Sequence, residues 1–199
     1  MTETTALRPA TGMNVTRIVV TTLLAGAIGL ASWELWIRFG APPTTGKFPL
    51  EGPIGLAQAS LNKLFGISAY KDDNLFLGVL SGRGIAEIAH FSAAFIAYPL
   101  GFLIAARPIG RAVLGRVGTT GSDVVTGLVY GALLFVFAGY VMGHLVAGFP
   151  PFFGWKSITV WTGLPPGSFI GHVLLGLGIA IGAMVADRAF ARSPATGRA

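Results

Sequence analysis

Five side chains in this sequence have the chemistry to hold a metal, ligate a haem or carry a proton in apolar surroundings: Glu34, Glu87, His90, His144 and His172. They include all three histidines of the chain. Each falls in a long apolar stretch, where a charged side chain costs about 2.5–3.5 kcal/mol on insertion scales and so asks for a partner. Imidazole and carboxylate groups are ordinary ligands of zinc, copper and iron. Glu87 and His90 stand three residues apart and share one face of a helix, the spacing used in carboxylate-bridged di-iron bundles. Those bundles need four glutamates and two such motifs, whereas this chain supplies one motif and a separate Glu34. A mononuclear metal site of two or three histidines and a carboxylate suits the set better. Haem b between His90 and His172 is a second candidate, with the glycines around His172 making room for the macrocycle. The third reading is packing, in which these groups hydrogen-bond across helices for about 0.6–2 kcal/mol each.

Other chemistries are absent from the chain. With no cysteine there is no disulfide, thiolate metal site, iron–sulfur cluster, c-type haem attachment or thiol nucleophile. Neither Gly-x-Ser-x-Gly nor His-Glu-x-x-His occurs. The net charge of +6 comes from 14 basic residues dispersed over loops and tails; no aromatic-interleaved basic stripe forms, so no nucleic-acid partner is expected. Met142 beside His144 and the Gly127-x-x-x-Gly131, Gly139-x-x-x-Gly143 and Gly178-x-x-x-Gly182 pairs read as helix packing.

The elements that must position the five groups follow from hydropathy. Of 199 residues 53% are hydrophobic and 11% charged, against about 25% charged in soluble domains, and the mean hydropathy is +0.70. Such a surface needs a lipid bilayer as its partner. Four stretches, at about residues 18–37, 85–106, 124–146 and 169–186, have the length and apolarity of membrane helices. The expected fold is therefore an all-α integral membrane protein, a single four-transmembrane-helix domain over residues 1–199 with flexible tails at 1–15 and 190–199. Pro99 is a potential kink in the second span. The first span is read as a retained helix, because Trp33, Glu34 and Trp36 stand where a signal peptide would need small residues. In the long first loop Pro53 to Phe65 reads as a short amphipathic helix, with Ile54, Ala57, Leu61, Leu64 and Phe65 on one face and Gly66 closing it. The third loop, rich in proline, carries Phe152, Phe153, Trp155 and Trp161 as interfacial anchors.

Arginine density sets the orientation. Arg8 and Arg17 precede the first span, Arg107, Arg111 and Arg116 occupy the short second loop, and Arg188, Arg192 and Arg198 follow the fourth span. The opposite side has Arg38, Lys47, Lys63, Lys71 and Arg83 spread along one long loop, and Lys156 in the third. The positive-inside rule then places both termini in the cytoplasm of a bacterial inner membrane. With that topology all five ionisable groups fall within roughly 3–8 Å of the outer ends of their spans, in one layer contributed by four helices. Spacing also assigns faces: Ala27, Ala31 and Glu34 as a small-residue packing stripe; Glu87, His90, Ala94 and Tyr98; Thr126, Tyr130, Phe137, Tyr140 and His144; and His172, Gly176 and Ala183.

Three segments also carry a resemblance: Glu87-Ile88-Ala89-His90-Phe91, Val141-Met142-Gly143-His144 and Ser168-Phe169-Ile170-Gly171-His172. They look like small bacterial inner-membrane proteins of the YagU-like kind, chiefly over the second half of the chain. That resemblance implies four spans and brings no activity with it; the long first outer loop departs from it. The expected function is a metal- or haem-binding protein with a redox or metal-handling role, using the outer His/Glu layer. The alternative is a non-catalytic accessory or structural subunit, within a homo-oligomer or a larger membrane complex.

Overall fold

The computed structural model describes residues 15–36, 39, 51–66, 75–76, 80–148 and 167–192. The expected anchors of the third loop lie outside them, as do residues 1–14 and 193–199 of the expected tails, whereas Val15 and residues 190–192 are helical and not tail. Helix α1 is Val15–Leu35 and α2 is Glu51–Phe65. A two-residue antiparallel ladder, Leu75 with Ser81 and Phe76 with Leu80, leads into α3. Helix α3 starts as Gly82–Ser92 and ends as Arg107–Val113, passing through π-helical Ala93–Ala97 and Phe102–Ala106. A 3₁₀ turn, Gly115–Val117, leads to α4, which is α-helical over Gly118–Val136 and π-helical over Phe137–Val146. Helix α5 is Gly167–Arg192. Four helices are long and apolar enough to cross a membrane, so the expected four-helix membrane bundle with one short extra helix is what the chain forms. Gly66, in the left-handed region at φ +67°, ends α2 as expected, and Gly118 at φ +77° lets the chain reverse between α3 and α4.

The membrane helices run past their apolar stretches. Arg107 and Arg111, expected in a loop, belong to the last two turns of α3. The loop proper shrinks to residues 114–117. Residues beyond the apolar core can stay helical because a helix satisfies its own backbone polar groups, as the membrane interface demands.

Helix α5 is the centre of the bundle and packs on both α1 and α4. Its glycines remove side chains where backbones cross. Gly178 and Gly182 lie on Gly29 and Ala25 of α1, and Gly176 lies on Gly127 and Gly131 of α4. The Gly127/Gly131 and Gly178/Gly182 pairs are thus packing devices, as their spacing predicts. Trp33, Phe102, Leu134, Leu175 and Ile179 fill the core between these helices.

Helix α3 joins the bundle differently. Pro99 has no N–H to give the Phe95 carbonyl, and it follows a π-helical stretch in which Tyr98 bonds to Ala93, five residues back. A second proline, Pro108, follows the second π stretch in the same way. Gly26 of α1 packs directly on the Phe95 carbonyl. On its other side α3 meets α4 mainly through its last turns, where Gly110 accommodates Thr126. At the far end α2 packs on both helices, against Gly82–Ser92 of α3 and the π-helical stretch of α4, with Leu56 reaching Gly143.

Two of the expected faces are corrected by the structure. Ala27 and Ala31 are exposed; the buried stripe of α1 is Thr22, Ala25, Gly26, Gly29 and Trp33. The stripe on α4 holds for Thr126, which is buried, and Tyr130, which is half-buried, and then breaks: Phe137 and Tyr140 are exposed. The break coincides with the start of the π-helix. Its i→i+5 bonding fits more residues into each turn, so a 3.6-residue stripe drifts off its face.

Candidate functional site

Polar groups gather at both ends of the bundle. The end bearing the α3–α4 turn is termed the basic end, and the opposite one the histidine end.

At the histidine end, Glu34 on α1 lies close enough to His90 on α3 to act on it electrostatically. The His90 ring also meets Phe91, centroid to centroid at 5.5 Å. His172 on α5 stands edge-on to Trp33 at 4.6 Å and near Phe135 at 5.7 Å. His144 lies against Tyr140, one turn earlier on its own helix, at 5.4 Å. Glu87, His90, His144, His172 and Glu34 are all half-buried. The five groups therefore gather at one end of the bundle, where each of the three histidines meets an aromatic ring. Among the described residues no group of three or more His, Asp or Glu side chains is placed to hold a metal ion. At this end α2 packs on both α3 and α4.

The basic end is the better-built site, and sequence reasoning passed over it. Asp123 of α4 is buried, with 1% of its side chain exposed, and receives two guanidinium groups from α3. Arg111 forms a two-pronged pair with it, donating Nε to Oδ1 at 2.8 Å and Nη2 to Oδ2 at 2.7 Å. Arg107, itself buried, donates Nε to both oxygens at 3.2 Å and Nη2 to Oδ2 at 2.7 Å. The same Nη2 also donates to Asp187 Oδ2 on α5 at 2.7 Å. Asp187 in turn accepts from Arg17 Nη2 of α1 at 2.8 Å, with the Arg17 guanidinium over the Phe190 ring at 5.6 Å.

All four membrane helices are thereby tied by one network of three arginines and two aspartates. Arginine is suited to the task because its fork matches a carboxylate in two directions and its long stem spans the gap between helix axes. A buried ion pair of this kind adds little over a well-packed apolar pair, but losing one member leaves a charge stranded at a cost of about 3–5 kcal/mol. The arrangement fastens and aligns; nothing in it provides a nucleophile or an acid–base pair, since every carboxylate is held by guanidinium groups.

A signal for it was present. Arg107 and Arg111 are four residues apart, and Asp123 and Asp187 flank the apolar cores of their spans. Reading the arginines only as topology markers hid their partners.

A third polar contact lies between the two ends. Tyr130 of α4 donates its hydroxyl to the Tyr98 carbonyl of α3 at 2.8 Å, and Gly101 leaves room for that hydroxyl.

Comparison with known proteins finds no matching family model, no matching curated protein and no matching solved structure.

Proposed function

We propose that this chain is a non-catalytic accessory or structural subunit of a bacterial inner membrane, with both termini in the cytoplasm. The single observation that carries the reading is the basic-end network. The best-ordered polar chemistry of the described residues is spent on joining α1, α3, α4 and α5. The orientation is supported by the same end holding Arg17, Arg107, Arg111, Arg116, Arg188 and Arg192, the bias expected of a cytoplasmic face. Four spans of this kind are also what the YagU-like resemblance implies. Exposed aromatic residues in the π-helical stretch of α4, Phe137 and Tyr140, give a partner subunit or a second copy a surface to pack on.

The metal or haem reading is kept as the second one because Glu34 and His90, a carboxylate and an imidazole from two helices, lie near enough to interact electrostatically. Elemental analysis and an absorption spectrum of detergent-purified protein decide between the two. The experiment includes a His90→Ala, His172→Ala double variant and the native mass of the wild type in mild detergent. The accessory reading expects an assembly larger than one chain, with neither stoichiometric metal nor a Soret band. Near-stoichiometric metal or haem that is lost in the double variant overturns it and establishes the cofactor role.

A further inference from the structure

The basic end carries more positive charge than its network uses. Its described charged residues are six arginines, Arg17, Arg107, Arg111, Arg116, Arg188 and Arg192, and two aspartates, Asp123 and Asp187. Both aspartates are fully engaged by Arg17, Arg107 and Arg111. Arg116 in the α3–α4 turn, and Arg188 and Arg192 one turn apart on α5, are exposed. None of these three has a hydrogen bond or ion pair among the described residues. Arg111 is 39% exposed at its side chain, and among the described residues its hydrogen bonds come from Nε and Nη2 and leave Nη1 open. The network thus removes the acids that would otherwise neutralise this surface, and leaves a surplus of four positive charges around the end of a membrane bundle.

We infer that this end is a binding surface for the phosphate headgroups of anionic lipids, held by Arg116, Arg188 and Arg192 with the free edge of Arg111. The inference rests on the multi-pass reading above and adds a partner to it. The argument for lipid as the occupant is position together with charge. These residues sit on the last turns of helices long and apolar enough to cross a membrane, or on the turn joining two of them. Clusters of arginine immediately beyond membrane helices attract anionic lipids, and guanidinium forks match phosphate oxygens in two directions. Arg192 lies one turn past Arg188, so the two can engage one headgroup or two neighbouring ones.

The test is native mass spectrometry of the full chain in detergent, titrated with phosphatidylglycerol and, separately, phosphatidylcholine. The wild type is compared with an Arg116→Gln, Arg188→Gln, Arg192→Gln variant and with the same three positions changed to Lys. None of the three belongs to the network, so the fold is expected to persist, which the helical circular dichroism and elution volume check. The expected result is tighter binding of phosphatidylglycerol, weakened by salt. The Gln variant loses affinity by roughly a hundred-fold, about five-fold per arginine, and the Lys variant retains most of it. Equal affinity for the two lipids overturns the inference, as does an unchanged preference in the Gln variant or a preference indifferent to salt. If the Gln variant does not fold, the salt dependence and the Lys variant of the same titration still decide. Failure of the multi-pass reading itself looks different: the chain would leave membranes in alkaline carbonate without detergent.

Discussion

Each end of the bundle holds a set of five ionisable side chains drawn from four helices, yet the two sets are built on opposite principles. At the basic end three arginines and two aspartates from four helices form one connected network with its closest bonds at 2.7–2.8 Å. At the histidine end two glutamates and three histidines come from four helices, and each of the three histidines meets an aromatic ring. Two differences account for this. The α3–α4 turn draws those helices together at the basic end, whereas α2 packs on both of them at the other. Arginine also reaches farther than histidine and carries its donors in a fork, so it can bridge helix axes that an imidazole cannot. Sharing a layer is therefore not the same as sharing a site: lateral distance between helices at that depth decides.

The comparison can be broken most directly at Asp123. Replacing it with Asn leaves the buried Arg107 with Asp187 as its one remaining carboxylate partner among the described residues and is expected to lower stability by about 3 kcal/mol, the lower end for a broken buried pair, read from unfolding midpoints in SDS or by heating in detergent. An Arg107→Met, Asp123→Leu double variant should recover most of that loss, because the apolar pair strands no charge. If Asp123→Asn unfolds like the wild type, the network is not what holds this end together.

Next in size is a pair of glycine substitutions that samples the α3–α4 contact at one end and its separation at the other. Gly110→Ala pushes a methyl into Thr126 and should cost about 1–3 kcal/mol. Among the described residues Gly143→Ala meets only Ala138 O at 3.3 Å and Leu56 at 3.8 Å, and should change stability by no more than about 0.5 kcal/mol, since alanine is the better helix former. Equal effects would mean that the two ends are packed alike.

A double-mutant cycle sharpens the contrast further. His90→Ala and His144→Ala should be additive to within about 0.5 kcal/mol, as for residues that do not touch. A coupling above about 1 kcal/mol would place the two imidazoles in one cluster and revive a shared ligand site. The smallest effect belongs to the contact between the ends: Tyr130→Phe removes one hydrogen bond to the Tyr98 carbonyl and should cost about 0.6 kcal/mol, the average for polar contacts between membrane helices.

Much of the fold was legible in the residues themselves. Span number, a short helix in the first loop ended by Gly66, and the packing role of Gly127, Gly131, Gly178 and Gly182 all depend on local composition and spacing, which the bilayer makes unusually informative. The disturbance at Pro99 was also foreseeable, because a missing N–H is a property of the residue. The expected face of α4 failed for a reason no hydropathy pattern carries: the change from α to π bonding at Phe137 turns Tyr140 outward. Likewise Ala27 and Ala31 looked like a packing stripe, but Gly26 and Gly29 allow closer approach, and they took the interface instead.

By itself, then, the sequence determined how many helices cross, where they start and stop to within a turn or two, and at what depth each ionisable group lies. These follow from short-range sums of transfer free energy and helix rise along the chain. Which of those groups meet was decided only by tertiary structure. Lateral contact depends on where glycines let backbones approach, on where α2 packs across α3 and α4, and on which side chains are long enough to span what remains. For that reason Asp123, Asp187, Arg107, Arg111 and Arg17 became one network, while among Glu34, Glu87, His90, His144 and His172 no group of three or more came together to hold a metal ion.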